Sequence, residues 1–383
     1  MDVTLSILGD QLGSGAGGGR FTTDLLRALL TDADALAQIE KLTILITEGQ
    51  SAADLPPLPA RARIVRRRFP SRLRQTLVAE WASRFWPAAD VAHGPFFYVF
   101  PGQGRRSLFT LHDASFLDER FHSTAHNRDR LDLMSRQRDR CSAIVCDSRA
   151  VLEQVQHEWP HAAHKCHAVY PGVDGLDEPA ERLDTGAIGA PESAAAGAEP
   201  FILAVGTIEP RKNYGVLLDA CEQLRRELGS TAPRLVVVGK AGWMSDAVCR
   251  RLTDAASRGW LRWHHDATDA ELARLYQTAA VFTYPSLYEG FGYPPFEAAY
   301  ANLPMVVSAA SSVGEIWSGY ARVVEPTDVP AIVEGLKWAL GLSGAARQAV
   351  VERQKARAAE FTWKRCVAQY LELYQALARQ VSQ

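Results

Sequence analysis

Short runs of aliphatic and β-branched residues alternate with longer stretches in which apolar positions recur every three or four residues. In the first half, "VTLSIL" (3–8), "LTILIT" (42–47), "RIVRR" (63–67), "SLFTLH" (107–112) and "AIVCDS" (143–148) read as strands. "FTTDLLRALLTDADALAQI" (21–39) and "RDRLDLMSRQRDRC" (128–141) read as helices between them. The second half repeats the scheme, with strands at "FILAVG", "RLVVVG", "WLRWH", "VFTYPS", "PMVVS" and "RVVEP". Strands alternating with helices predict parallel sheets covered on both faces, and two such series predict two Rossmann-like, doubly wound α/β domains.

The periodicity lapses in "DEPAERLDTGAIGAPESAAAGAEP" (177–200), an Ala-, Gly-, Pro- and Glu-rich stretch with almost no apolar face. We expect a linker there. The domains are then 1–176 and 201–360. Residues 361–383 form a separate amphipathic ending, with "FTWKRCVAQYLELYQALARQ" (361–380) as its helix.

Bulk properties narrow the class. Hydrophobic residues at 47% and charged residues at 22% describe a globular protein with room for two cores. A net charge of −2 argues against general nucleic-acid binding. No apolar run has the length of a membrane span, and "MDVTLSILGD" lacks the basic and apolar segments of a signal peptide. The six cysteines show no CxxC and no disulfide-like spacing, which suits reduced core residues in a cytoplasmic compartment.

Each half opens with a strand followed by a loop suited to phosphate. In "GDQLGSGAGGGRF" (9–21), Gly13, Gly15 and Gly18 satisfy GxGxxG, and such glycines let backbone N–H groups approach an anion. The acid ending the next strand, Glu48, lies about thirty residues past Gly18, against the roughly 20 of a dinucleotide fingerprint. In "FILAVGTIEPRKNYGVLLDAC" (201–221), Arg211 and Lys212 fall between the strand and a helix beginning near Asn213. Two cations at this edge of a parallel sheet can meet a diphosphate, and a solvated basic turn is the plainer alternative.

The stretch "YPSLYEGFGYPPFEAAYANLP" (284–304) places Glu289 on a Gly-rich loop and Glu297 just after Pro294 and Pro295. The prolines suit a first helical turn, so Glu297 is expected within that turn. Carboxylates near a helix N-terminus stay ionised and accept strongly from hydroxyls, as a sugar ring or a ribose offers.

With these stretches in view, the chain resembles the retaining glycosyltransferases of family 4, which have the GT-B fold. "EGFGYPPFE" matches the family's E-x7-E motif, "LYEGFG" with "PFEAAYANLPMVVS" is highly specific, and "VGTIEPRKN" and "LFTLHDASF" match two further blocks. The closing "FTWKRCVAQYLELY" resembles the family's last helix, which crosses back to the first domain. The resemblance implies that Glu289 holds hydroxyls of the transferred sugar and Glu297 the nucleotide ribose. Backbone amides at Phe291, Gly292 and Tyr293 would meet sugar and phosphate. Lys212, with Arg211 beside it, would neutralise the leaving diphosphate. His112 would approach the donor sugar near its anomeric centre, and Gly17 and Gly18 would close over the diphosphate. The widespread form of the motif has Arg after the strand's Gly, where this chain has Thr207, and the resemblance leaves Arg211 as the candidate to take over that charge.

The implied activity is retaining transfer of a hexose, with mannose from GDP-mannose favoured, to a glycan or lipid-linked acceptor of bacterial surface polysaccharide. No cofactor or metal is expected: Asp32-Ala33-Asp34 sits in a helical pattern rather than where a DxD metal site belongs. "RARIVRRRFPSRLR" (61–74) carries seven arginines, from Arg61 to Arg74, which either flank a strand or attract anionic lipid headgroups. The latter places the protein peripherally at the inner face of the cytoplasmic membrane. His157, His161, His164 and His167 are read as an exposed helix end rather than a metal cluster. A sugar-nucleotide epimerase on the same fold is the nearest rival, and a dinucleotide-dependent oxidoreductase a more distant one.

Overall fold

A computed structural model of the chain describes residues 1–7, 17–47, 51–53, 55–67, 89–96, 104–121, 124–176 and 199–379. Two compact units emerge, one of Met1–Gly172 with Phe361–Gln383 and the other of Val173–Glu360. Most of the expected 177–200 linker, like Gly13, Gly15, Glu48 and the arginines at 68, 72 and 74, lies outside the described residues.

The first unit is built on a seven-stranded sheet in the order β3-β2-β1-β4-β5-β6-β7. Its strands are β1 (Asp2–Ile7), β2 (Lys41–Thr47), β3 (Ala62–Arg67), β4 (Ala89–Gly94), β5 (Gly104–Leu111), β6 (Ala143–Cys146) and β7 (Cys166–Ala168). The second unit has the six-stranded order β10-β9-β8-β11-β12-β13. It comprises β8 (Phe201–Val205), β9 (Arg234–Val238), β10 (Leu261–His264), β11 (Val281–Tyr284), β12 (Met305–Ser308) and β13 (Arg322–Val324). All pairings are parallel. Each sheet therefore reverses direction once, between β1 and β4 and between β8 and β11, and ligands of open parallel sheets gather outside the strand ends at such a point.

The structure differs from the sequence reading in several elements. β4 and β7 were not expected. The predicted helix 21–39 is two helices, Gly17–Thr31 and Ala33–Ala37, parted at Asp32. Asp32 caps the second by accepting from the amides of Asp34 and Ala35 at 2.9 and 3.0 Å. Of the histidine group, His161 and His164 lie on a 3-10 turn, whereas His167 is on β7 and not on a helix end. Five of the six cysteines are buried, Cys249 is half-buried, and all are free thiols.

In the terminal helix Trp363–Arg379, the residues at 363, 366, 367, 370, 371, 374 and 377 are buried. That spacing makes one apolar stripe, and it joins the first unit's core with Phe21, Leu25 and Leu29. Two tyrosines of the stripe also reach polar groups in the sheet. Tyr374 Oη lies 2.6 Å from His93 Nδ1, His93 Nε2 lies 2.9 Å from Thr110 Oγ1, and Thr110 Oγ1 lies 2.8 Å from Tyr370 Oη. Hydroxyls both donate and accept, so this fully buried chain is satisfied around a neutral imidazole.

Burial, with repulsion from His112 in support, depresses the pKa of His93 to about 3. Between about 3 and 6.5 the unfolded chain binds a proton that the folded chain refuses, so folding stability falls as the pH drops below 6.5, by up to about 1.4 kcal/mol per pH unit. Urea unfolding from about pH 7 to pH 5 should show a steeper acid-side loss in the wild type than in His93→Gln. Equal slopes would remove His93 as the cause.

Candidate active site

The second unit brings three of the expected side chains into contact at its switch point. After β8 the chain turns through a 3-10 element at Pro210–Lys212, capped by Asn213 in the left-handed conformation at φ 60°. Asparagine tolerates that conformation better than most residues. Its side-chain amide donates to Pro285 O at 3.0 Å and Pro326 O at 2.7 Å, tying the loop after β8 to the loop after β11. The helix then runs from Tyr214 to Leu228.

This staple places Lys212 and Arg211 against Glu289. Lys212 Nζ donates to Glu289 Oε1 at 2.6 Å and to Tyr284 Oη at 2.5 Å. Arg211 Nη1 donates to Glu289 Oε2 at 2.5 Å, while its Nε lies 2.6 Å from Glu209 Oε1. Glu289 is 4% exposed. Burial pushes its pKa up, but Arg211 and Lys212 together outweigh burial and hold the carboxyl below its usual value. Lys212 is shifted downward by burial and then by Arg211, against the pull of Glu289. Burial first, and the charge of Glu289 second, push the Tyr284 phenol well above its ordinary value, so it remains a neutral partner for the ammonium. The expected cations and the expected sugar-gripping acid are thus one ionic cluster, with Glu209 as a fourth charged member.

The Glu289 loop is fixed from the other side by serines that sequence reasoning missed. Ser311 Oγ accepts from Glu289 N at 2.9 Å, and Ser312 Oγ donates to Glu289 O at 2.9 Å and to Phe291 O at 3.1 Å. Phe291 is a core side chain stacked on Phe296 at 4.7 Å between centroids, so its backbone is its only part suited to a ligand. Gly292 sits at φ 91° as the N-cap of the helix Tyr293–Tyr300, a conformation other residues avoid.

Glu297 is not in the first helical turn. The helix begins at Tyr293, ahead of both prolines, so Glu297 falls in the second turn, beyond the reach of the terminal dipole. Its Oε2 instead accepts from Tyr276 Oη at 2.8 Å.

His112, Gly17 and Gly18 belong to the first unit. The helix there starts at Gly17, so both glycines are helical rather than part of the loop that the sequence suggested. Gly18 is required by close packing: a Cβ would lie 2.1 Å from the Phe96 ring and 3.2 Å from His112 Cδ2. His112 directly follows β5 and pairs with Asp147 at 2.8 Å. Of the basic stretch, Arg61 donates to Leu36 O and Ile39 O at 2.7 and 3.0 Å, and Arg63 to Thr43 Oγ1 at 3.3 Å. Those two arginines hold the edge of the sheet.

Comparison with known proteins agrees with this architecture. Residues 17–175 match the family described as Glycosyltransferase Family 4, and residues 190–357 match Glycosyl transferases group 1. The two halves of the chain thus match two glycosyltransferase family models, which together span most of its length, and the fold is GT-B. Among curated proteins it is 34% identical over 177 residues to O-antigen chain mannosyltransferase B of Escherichia coli, a match spanning 46% of each chain. It is 35% identical over 145 residues to the serotype-specific mannosyltransferase WbdA of Escherichia coli, covering 37% of this chain and 18% of that one. The chain thus spans less than half the length of these relatives. Among solved structures, sucrose-phosphate synthase from Thermosynechococcus elongatus superposes with a TM-score of 0.69 at 18% identity over 98% of both chains. The α,α-trehalose 6-phosphate synthase of Burkholderia multivorans gives 0.70 at 14% identity over 99% of this chain and 97% of that one. These two define the fold alone. Among the described residues no helix is long and apolar enough to cross a membrane.

Asn213 is the local keystone. Asn213→Ala loses two buried hydrogen bonds and puts a Cβ-bearing residue without a local partner at φ 60°, and should destabilise the protein by about 2–4 kcal/mol in urea unfolding. Asn213→Gly should recover only the backbone share, about 1 kcal/mol. Equal losses in the two variants would show that the conformation at 213 carries no strain.

Proposed function

We propose that this enzyme transfers mannose, with retention of configuration, from GDP-mannose to a glycan or lipid-linked acceptor of bacterial surface polysaccharide. The observation that carries the reading is the buried contact of Arg211, Lys212 and Glu289 at the switch point of the second sheet. The names of the curated relatives support mannose and O-antigen as sugar and pathway.

Breaking a glycosyl–phosphate bond leaves negative charge on the departing nucleoside diphosphate. Arg211 and Lys212 are held in place before the reaction, so they can stabilise that charge with little reorganisation. Lys212 is the better suited because Tyr284 offers its ammonium a neutral second partner. Glu289 grips sugar hydroxyls and Glu297 the ribose, while the amides of Phe291, Gly292 and Tyr293 meet sugar and phosphate. His112 contributes beside the donor sugar, and Gly17 and Gly18 beside the diphosphate. The acceptor hydroxyl attacks from the leaving-group face and passes its proton to the donor phosphate. Glu289 positions rather than attacks, since both its oxygens already accept from cations. Transfer needs no metal, because fixed cations supply the charge. The Arg61–Arg74 run provides peripheral contact with the anionic inner face of the cytoplasmic membrane.

Assay of UDP-, GDP- and dTDP-sugars with product analysis tests donor and stereochemistry, and an inverted product or a preference for UDP-glucose would overturn the reading. Lys212→Ala should lower kcat on the order of 10²-fold, the scale of one charge-stabilising group. Turnover close to wild type in that variant, or a glycosyl adduct on Glu289 found by mass spectrometry, would refute the assigned roles.

A further inference from the structure

We propose that Asp147 is a positioning residue that holds His112 as a doubly protonated, fixed cation. The use of that cation rests on the glycosyl-transfer reading above, whereas the existence of the pair does not.

The pair follows from strand register. β5 and β6 are parallel neighbours with Leu111 opposite Cys146. The residues that directly follow these two strands are His112 and Asp147, so the two side chains leave the sheet at equivalent positions. His112 Nδ1 lies 2.8 Å from Asp147 Oδ2, and His112 Nε2 lies 3.0 Å from the carbonyl oxygen of Pro95. A carboxylate and a backbone carbonyl only accept. Both ring nitrogens must therefore carry hydrogen for both bonds to exist, which is the imidazolium form with Asp147 as its counter-ion. A neutral ring would turn a lone pair toward one of the two oxygens.

The surroundings prevent an easy alternative. The imidazole packs edge-on to Phe21 at 4.8 Å and against Phe96 at 5.3 Å between centroids. Gly18 leaves no room on a third side, since even a methyl there would press on the ring. Asp147 is buried, and its Oδ1 has no hydrogen-bond partner among the described residues. Its charge is therefore answered chiefly through Oδ2 and His112. Other ionisable groups act on the pair as well. Asp113, next in the chain, and Tyr370 of the terminal helix bear on Asp147, and His93 on β4 bears on His112. Burial raises the pKa of Asp147, and the attraction of His112 opposes that rise. A carboxyl is a stronger acid than an imidazolium, so we place the shared proton on the ring.

Such a histidine does not take a proton from the acceptor. It adds positive charge beside a donor whose leaving group is an anion.

Nitrogen NMR of histidine-labelled full-length protein at neutral pH tests the pair directly. Both His112 nitrogens should appear protonated in the wild type, and a singly protonated ring would overturn the proposal, even should variants fail to fold. Asp147→Asn keeps the shape and an accepting oxygen but removes the charge, so the proton affinity of His112 should fall at least about tenfold. The release of GDP from GDP-mannose should fall about tenfold or more in kcat at neutral pH, with KM little changed and the optimum moved to more acid pH. An unmoved titration in that variant overturns the proposal, and a moved titration with an unaltered pH–rate profile overturns the positioning role. Absence of turnover by the wild type with any sugar nucleotide would sink the glycosyl-transfer reading, while the NMR measurements would still decide the pair.

Discussion

The second unit depends on a carboxylate clamped between two cations in a place where none of the three could sit alone. Moving one ion out of water costs several kcal/mol even after relaxation, and two neighbouring cations repel each other in addition. The cluster is tolerable because it is balanced: Glu209 and Glu289 face Arg211 and Lys212, and most of the donors and acceptors are matched. Buried ionic groups are often no more stabilising than apolar residues of similar volume, yet removing one partner is strongly destabilising. A chain that keeps such a group accepts a fragile arrangement, and the cluster is best understood through the chemistry it permits.

Its position follows from topology. β8 and β11 are neighbours in the sheet but far apart in sequence, and their loops leave at the point where the strand order reverses. Without further support the two loops would have no fixed relation. Asn213 ties the first loop to the second, and Ser311 and Ser312 tie the second to the next strand's loop. The charged side chains are consequently held by uncharged ones, each making short hydrogen bonds to backbone. That division fixes the ions without asking the charged side chains to hold the backbone.

Much of this was legible in the sequence. All six strands of the second unit, and the residues Arg211, Lys212 and Glu289, announce themselves through apolar runs that end in polar turns. β4 was not legible, because "ADVAHG" carries Asp, His and Gly, residues that disfavour strands, and it is held by pairing on both sides. β7 is too short to show alternation. The break at Asp32 was hidden because the apolar spacing continues across it, while the cap depends on a side-chain bond. Glu297 was placed one turn too early because Pro294 and Pro295 suit a helix start, and the helix admits Tyr293 before them. Tyr276, Tyr284 and Asn213 gave no signal, since their roles lie in tertiary hydrogen bonds. Asp147 did leave a trace: two neighbouring strands are each followed directly by an ionisable residue.

The first unit shows why residue type alone could not have settled the rest. His93 lies on β4 and His112 just past the end of the neighbouring β5, one buried and one half-buried, and their protonation is set by what meets their nitrogens. Around His93 stand hydroxyls of Thr110 and Tyr374, which can donate or accept and so leave the ring neutral. Around His112 stand a carboxylate and a carbonyl, which can only accept. A neutral histidine anchors the terminal helix to the sheet, where charge would weaken packing. The one proposed to be charged stands just past the end of β5, where the resemblance puts the anomeric centre of the donor sugar. The same side chain is given opposite tasks by the donor and acceptor chemistry around it.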